Sequence, residues 1–199
     1  MRCPYCHNPE IVLKSRTQQV APSLDDIFAF LKKRKNLLDA VVISGGECTL
    51  YNDLPLFCSK IKEMGFKIKI DSNASRFEII KELSDKDLIN YFAIDFKAPK
   101  NKYHQITKNN SYENLIKSIN YLIKNQKNFE IRTTVHTDLL DEKDIEEIAS
   151  LLKDLNYKGI YYIQNFQYRD KTLEDIKEQK RPLDIESLKL GIKVKFRNF

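Results

Sequence analysis

Apolar residues recur along this chain with two periods, and the periods take turns. Ser23 opens a first helical stretch, with Asp25 and Asp26 in its first turn and Leu24, Ile27, Phe28 and Leu31 at i, i+3, i+4 and i+7. Residues 40–44, Ala-Val-Val-Ile-Ser, are a short apolar run of the kind that makes a buried strand. A helix is predicted from Asp53, with Leu54, Phe57, Ile61 and Met64 inward and Gly65 as its C′ stop. A strand over 67–71 follows, then a helix from Ser75 to about Ser84 carrying Phe77, Ile80 and Leu83. The strand over 91–95 runs into Phe96-Lys97-Ala98-Pro99 and a polar loop. Ser111 is placed as the cap of a helix whose Leu115, Ile119 and Leu122 share one face. A strand over 129–135 precedes a helix from Asp141 with Ile145, Ile148, Ala149 and Leu152 inward. Gly159 leads into a strand over 160–164, and the tail suggests a helix over 183–190 and an extended piece over 193–197.

Strand ends thus fall near 44, 71, 95, 134 and 164, each step about one βαβ unit of ~30 residues. Strict alternation of this kind demands a parallel sheet with right-handed crossovers, either a barrel or a doubly wound sheet. In both, the working face lies at the carboxyl ends of the strands. Those ends read Ser44-Gly45-Gly46-Glu47, Asp71-Ser72-Asn73, Asp95-Phe96-Lys97, Arg132 to Thr134, and Gln164 to Gln167. Period two puts Asp71 with Asn73, Asp95 with Lys97, and Arg132 with Thr134 and His136, each set on one strand face. An apolar core has no use for such polarity at five successive ends; a pocket for a charged small molecule does.

At 199 residues and 42% apolar content the chain is expected to form one domain, residues 1–199, with a sizeable core. No apolar run approaches the ~18 residues of a membrane span, and no signal-peptide core follows Met1, so a cytoplasmic protein with no membrane partner is expected. In that setting Cys3, Cys6, Cys48 and Cys58 are metal ligands or buried thiols and not a disulfide framework. The net charge of +6 is spread in short clusters, and Lys32, Lys33, Arg34 and Lys35 close a helix where cations suit its dipole. That distribution argues against a nucleic-acid partner.

The candidate chemistry begins at residues 1–10, Met-Arg-Cys-Pro-Tyr-Cys-His-Asn-Pro-Glu. Two thiols separated by an x-x turn can converge on one metal centre. Cys3-Pro4-Tyr5-Cys6 also matches a redox turn, and with His7 a haem-attachment string, but no strand precedes Cys3 and Pro9 sits where a redox helix would run. Zinc would need a second pair, and Cys48, Cys58, His104 and His136 offer no matched spacing. Gly45-Gly46-Glu47 could be an ordinary tight turn, yet it ends a strand where backbone N–H groups and a carboxylate can grip an amino-acid-like ligand. Asp71-Ser72-Asn73 could be an Asx turn, and Asp95 with Lys97 a rim ion pair. Arg132 lies mid-strand among apolar residues, where an unpaired guanidinium would be costly.

Together these residues resemble the radical S-adenosylmethionine superfamily. Within it they look most like the activating enzymes of glycyl-radical enzymes, especially the branch associated with anaerobic ribonucleoside-triphosphate reductase. The resemblance is carried by residues 2–10, 42–47, 69–73, 93–99 and 132–135, in the family's order. It implies a partial (β/α) barrel, a [4Fe–4S] cluster and S-adenosylmethionine, whose reductive cleavage releases a 5′-deoxyadenosyl radical that abstracts a glycine Cα hydrogen from a partner. It also implies a flavodoxin- or ferredoxin-type electron donor. By resemblance Cys3 and Cys6 hold the cluster, and Gly45, Gly46 and Glu47 take the methionyl amino group. Arg132 and Gln167 reach other parts of the cofactor, while Asp71, Ser72, Asn73 and Asp95 fall at a cation or ribose-side position. Cys3 and Cys6 match only the second and third cysteines of the family's C-x-x-x-C-x-x-C, and Cys48 stands where the family has Pro. The first cysteine and the barrel's first strand are therefore expected upstream of Met1, with Cys48 the sole candidate substitute and Cys58 on the outer helical layer. Two other functions fit the same scaffold: radical modification of a peptide or nucleotide, or a truncated relic that holds no stable cluster.

Overall fold

The computed structural model describes residues 1–13, 22–168 and 171–199. Six strands, β1 (Ala40–Ile43), β2 (Lys67–Ser72), β3 (Tyr91–Asp95), β4 (Phe129–Val135), β5 (Tyr161–Asn165) and β6 (Val194–Arg197), form one sheet in the order 1-2-3-4-5-6, every pair parallel. A doubly wound sheet would reverse its order at a switch point; this one never does. Successive right-handed crossovers in one direction put all the helices on one face and leave the other face open, which is the barrel solution. Strands β1 and β6 are the two unpaired edges, so the barrel is partial.

The register sorts the strand side chains by face. Ile68 and Ile70, Phe92 and Ile94, Ile131, Tyr161 and Ile163 point to the helices and are buried. The opposite row carries Lys69 and Asp71, Tyr91 and Asp95, Glu130, Arg132 and Thr134, Tyr162 and Gln164, and Arg197. A parallel sheet covered on both faces reads as continuous apolar runs. Here one face is polar, so the strands alternate.

Seven helices accompany the strands among the described residues: α1 (Pro9–Val12), α2 (Leu24–Lys33), α3 (Leu54–Glu63), α4 (Phe77–Asp85), α5 (Lys100–Thr107), α6 (Tyr112–Lys124) and α7 (Glu142–Asp154). Capping boxes start α2 at Ser23 with Asp26 and α7 at Asp141 with Asp144. Gly65, at φ +94°, follows the end of α3 in a conformation that favours glycine.

Three local expectations are corrected. The polar loop after Pro99 is the helix α5, because Tyr103, Ile106 and Thr107 bury one short face that carries too few apolar residues to register as a period. The helix expected over 183–190 is a single turn: the backbone N–H groups of Asp184 and Lys189 donate to Glu142 and Glu146 of α7, which takes them away from a helical ladder. Ser111 does occupy the N-cap position of α6, but its hydroxyl meets the Tyr103 hydroxyl at 3.3 Å and does not cap.

Candidate functional site

At the carboxyl ends of the strands lies a cavity of about 360 Å³. It is lined by Cys3 and Cys6, by Gly45, Gly46 and Glu47, by Asp71, Ser72 and Asn73, and by Asp95, Arg132 and Gln167. Sequence reading had drawn these residues from six separate segments.

The turn after β1 is shaped by two glycines for different reasons. Gly45 sits at φ +144°, a backbone conformation that L side chains rarely adopt. At Gly46 a Cβ would stand 3.0 Å from Ile11 Cγ2, so the missing side chain is what lets α1 pack onto the turn. Glu47 then turns inward and is 7% exposed. Its Oε1 accepts from Thr49 N (3.2 Å), Thr49 Oγ1 (2.6 Å) and Ser72 Oγ (2.7 Å), and its Oε2 from Asn73 N (2.7 Å). Glu47 thereby fastens the end of β1 to the end of β2. The Asx turn also exists, since Asn73 Oδ1 accepts from Ser75 N at 3.0 Å, and it coexists with lining the cavity.

Arg132 is the hub of the next two strand ends. Its Nε donates to Asp95 Oδ1 at 3.0 Å and its NH1 to Asp71 Oδ2 at 3.3 Å. Lys97 Nζ donates to the other Asp95 oxygen at 3.0 Å. Burial alone would raise the Asp95 pKa, but Lys97 and Arg132 outweigh it and hold the carboxyl below its usual range. Burial works against the Lys97 ammonium too; Asp95 beside it prevails and keeps its pKa above the ordinary value. This corner of the cavity is a fixed zwitterionic lattice. Lys69 Nζ lies 3.2 Å from Asp71 Oδ1, and Glu130, deeper on the same face, accepts from Tyr91 OH and Arg197 NH2, each at 3.3 Å. Lys69 and Glu130 were not singled out from the sequence, though they alternate with Asp71 and Arg132 and the same period-two signal points to them.

The cysteines reach the cavity by other means. Cys6 N donates to Cys3 O at 3.1 Å, closing the turn, and no strand carries it. Arg2 N donates to Thr107 O at the end of α5 (2.9 Å), Leu173 N to Cys6 O (3.0 Å) and Glu174 N to Pro4 O (3.2 Å). His7 Nε2 pairs with Gln167 O at 3.0 Å, and its ring stacks on Phe166 with centroids 5.3 Å apart. The Gln167 side chain is turned to the Asn198 carbonyl, 3.2 Å away. Burial pushes the Cys3 thiol up, with Lys97 and the terminal amine opposing it incompletely. His136 is not part of the site: β4 ends at Val135, and the ring is buried with Nε2 on Lys177 O at 2.9 Å.

Cys3 and Cys6 fit two positions of a thiolate-held metal centre, since both line one cavity and share one turn. Cys48 does not line it. Its Sγ faces Asp71 O at 3.5 Å, and burial, with the Glu47 charge adding, pushes its pKa up to about 12. Cys58, expected toward the outer layer, is fully buried in the core, and burial takes it up to about 12 as well. Among the described residues no three His, Cys, Asp or Glu side chains form a ready metal site. A third thiolate therefore does not come from Cys48 or Cys58.

Comparison with known proteins places these residues in a recognised context. The model of the Radical SAM superfamily matches residues 1–155. The chain is 36% identical over 201 residues to a putative glycyl-radical enzyme activating enzyme of Methanocaldococcus jannaschii, covering 96% of this chain and 79% of the relative. It is 27% identical over 169 residues to the pyruvate formate-lyase-activating enzyme of Streptococcus mutans, covering 78% of this chain and 63% of that one. The crystal structure of Streptococcus suis SuiB bound to S-adenosylmethionine superposes with a TM-score of 0.75 over 99% of this chain at 17% identity. That likeness concerns the fold, and the chain spans 47% of SuiB.

Proposed function

The chain belongs to the radical SAM superfamily, and from that premise we propose that it is the catalytic scaffold of a glycyl-radical enzyme activating enzyme. Residues 1–199 act in this reading as one radical SAM domain, with anaerobic ribonucleoside-triphosphate reductase as the partner and a flavodoxin- or ferredoxin-type protein as electron donor. One observation carries the proposal: a single cavity at the strand ends gathers the Cys3–Cys6 turn with Gly45–Glu47, Asp71–Asn73 and the Asp95–Arg132 pair. The family works with a [4Fe–4S] cluster and S-adenosylmethionine; when bound, they supply an electron and a cleavable sulfonium, and so a 5′-deoxyadenosyl radical.

The chain's own residues would divide the work as follows. Cys3 and Cys6 hold the cluster at two positions. The Gly45-Gly46 backbone and the rim of Glu47 meet the amino end of the cofactor's methionyl group. Because Glu47 already accepts four protein hydrogen bonds, its main service is to hold the β1 and β2 ends in register around that group. Arg132, tied to Asp71 and Asp95, contributes a fixed field to the ribose side, and Gln167 closes the rim through His7. Groups locked this way need no reorganisation when charge moves.

The test pairs a chain extended upstream, carrying a cysteine four residues before Cys3, with anaerobic ribonucleoside-triphosphate reductase, S-adenosylmethionine and a chemical reductant. The expected result is a glycyl-radical doublet by electron paramagnetic resonance that is lost in Cys3→Ser. Cleavage of S-adenosylmethionine with no glycyl radical, but with product formed on a supplied peptide or nucleotide, would assign the other radical chemistry.

A further inference from the structure

Three buried polar side-chain atoms among the described residues lack a hydrogen bond: Ser84 Oγ, Asp71 Oδ1 and the Tyr5 hydroxyl. Ser84 lies in α4, outside the cavity, and Asp71 Oδ1 has the Lys69 ammonium at 3.2 Å. Tyr5 is different. It is 6% exposed, it lines the cavity, and it sits inside the Cys3–Cys6 turn. We propose that the Tyr5 hydroxyl is a positioning donor to the Cys3 sulfur, making its hydrogen bond when Cys3 binds metal as a thiolate. The inference rests on the reading that the cysteine pair holds a metal centre.

A buried hydroxyl without a partner costs about 1–3 kcal/mol, so a fold keeps one where a partner arrives later. Candidates for that partner are few. Asp95 is near enough to act on the phenol, but its two oxygens are already taken by Arg132 and Lys97. Cys3 is the other neighbour, and each of the two groups alters the other's ionisation, although no well-formed hydrogen bond joins them. A neutral thiol is a weak acceptor. A thiolate is an anionic one, and hydrogen bonds to ionised acceptors are about twice as strong as neutral ones. Metal binding, which strips the Cys3 proton, is thus the event that gives the hydroxyl its partner. Hydrogen bonds to cysteine sulfurs also help set the reduction potential of iron–sulfur centres, so the same bond would tune whatever cluster the turn holds.

Tyr5→Phe in residues 1–199 tests this, with cobalt(II) as the probe and its thiolate-to-metal absorption band as the readout. The metal-free variant should melt at the same temperature as the wild type or higher, because an unpartnered hydroxyl has been removed. Its cobalt(II) affinity should fall about tenfold, the worth of one charge-assisted hydrogen bond. A merely structural tyrosine would do the reverse: a lower melting temperature and unchanged affinity, either of which overturns the proposal. Wild-type binding that vanishes in Cys3→Ser but is untouched by Tyr5→Phe sinks the hydroxyl's role and leaves the metal reading standing. Absence of the band in the wild type overturns both.

Discussion

The cavity has two halves built by opposite means. The strand-end rim is an extension of the sheet: Glu47, Asp71, Asp95 and Arg132 sit where register puts them and are then cross-tied, four donors onto Glu47 and two carboxylates onto Arg132. The cysteine turn has no such scaffold. It hangs by single backbone hydrogen bonds from places remote in sequence, the end of α5 at Thr107 and the segment at Leu173 and Glu174. The rim is preorganised by folding itself, so altering it disturbs stability and site together. The turn is placed by a few separable tethers, so its geometry can fail while the fold survives. Cofactor chemistry gains from this division, because a turn that must accept a metal can adjust against a rim that does not move.

The largest effect expected from this contrast is all-or-none. Residues 1–199 supply two thiolates to the cavity, so anaerobic reconstitution with iron and sulfide should leave a centre that chelators and oxygen strip quickly. A chain carrying a further cysteine four residues before Cys3, with its strand, should keep a stable brown chromophore. Cys48→Ser should change neither, because Cys48 faces Asp71 O and not the cavity. Stable, stoichiometric cluster binding by residues 1–199 that survives Cys48→Ser would contradict this reading of the turn.

The rim predicts a loss of stability. Arg132 is 13% exposed at its side chain and joins Asp71 and Asp95. Arg132→Met strands two partly buried carboxylates, and breaking such a pair costs about 3–5 kcal/mol. Urea unfolding should show that loss, with part of it recovered in Arg132→Met/Asp95→Asn, where one orphaned charge is gone. A loss under about 1 kcal/mol would mean the lattice is solvent-screened and does not fix the site.

The same contrast explains how far the sequence could be read. The rim was legible because β-strand geometry converts spacing into direction: Asp71, Asp95 and Arg132 follow from alternation, and their clustering follows from parallel register. Lys69 and Glu130 obey the same rule and were overlooked because they sit a step below the strand ends. The turn was legible as chemistry but not as position. Nothing near Cys3 announces Thr107 or Leu173, whose backbone groups hold it, and backbone hydrogen bonds leave no trace in side-chain pattern. Helix α5 escaped for a related reason: two buried apolar side chains, Tyr103 and Ile106, select it through packing and not through periodicity. The 183–190 segment looked helical by its own spacing, and the carboxylates of α7 won its backbone donors.

The tethers predict a smaller, local effect. Leu173→Pro removes the N–H that reaches Cys6 O, a bond worth about 1 kcal/mol or roughly a fivefold change in the open population. Alkylation of Cys3 and Cys6 should quicken by about that factor, while the buried core thiol Cys58 stays unreactive. Equal rates in variant and wild type would show that α5 alone holds the turn.

The smallest effect lies where the tethering segment meets the barrel. Arg181 NH1 and NH2 donate to the two Glu142 oxygens at 2.7 Å each, and Asp184 N adds a third bond at 2.8 Å. Hydrogen bonding from Arg181 is the chief reason that the Glu142 carboxyl is lowered from 4.5 to about 2. A carboxyl depressed on folding stabilises fully above its unfolded pKa, where both states are ionised. As pH falls from about 4.5 toward 2, the unfolded chain takes up the proton first and that stability drains away. Glu142→Gln should therefore be less stable than the wild type near neutrality by no more than about 1 kcal/mol, since the pair is partly exposed. The difference should shrink on acidification through that window, and the cysteine alkylation rates should rise only slightly at neutral pH, because Leu173 and Glu174 still hold the turn. Parallel stability curves for the two proteins down to pH 2 would show that the Arg181 clamp contributes nothing to anchoring the segment.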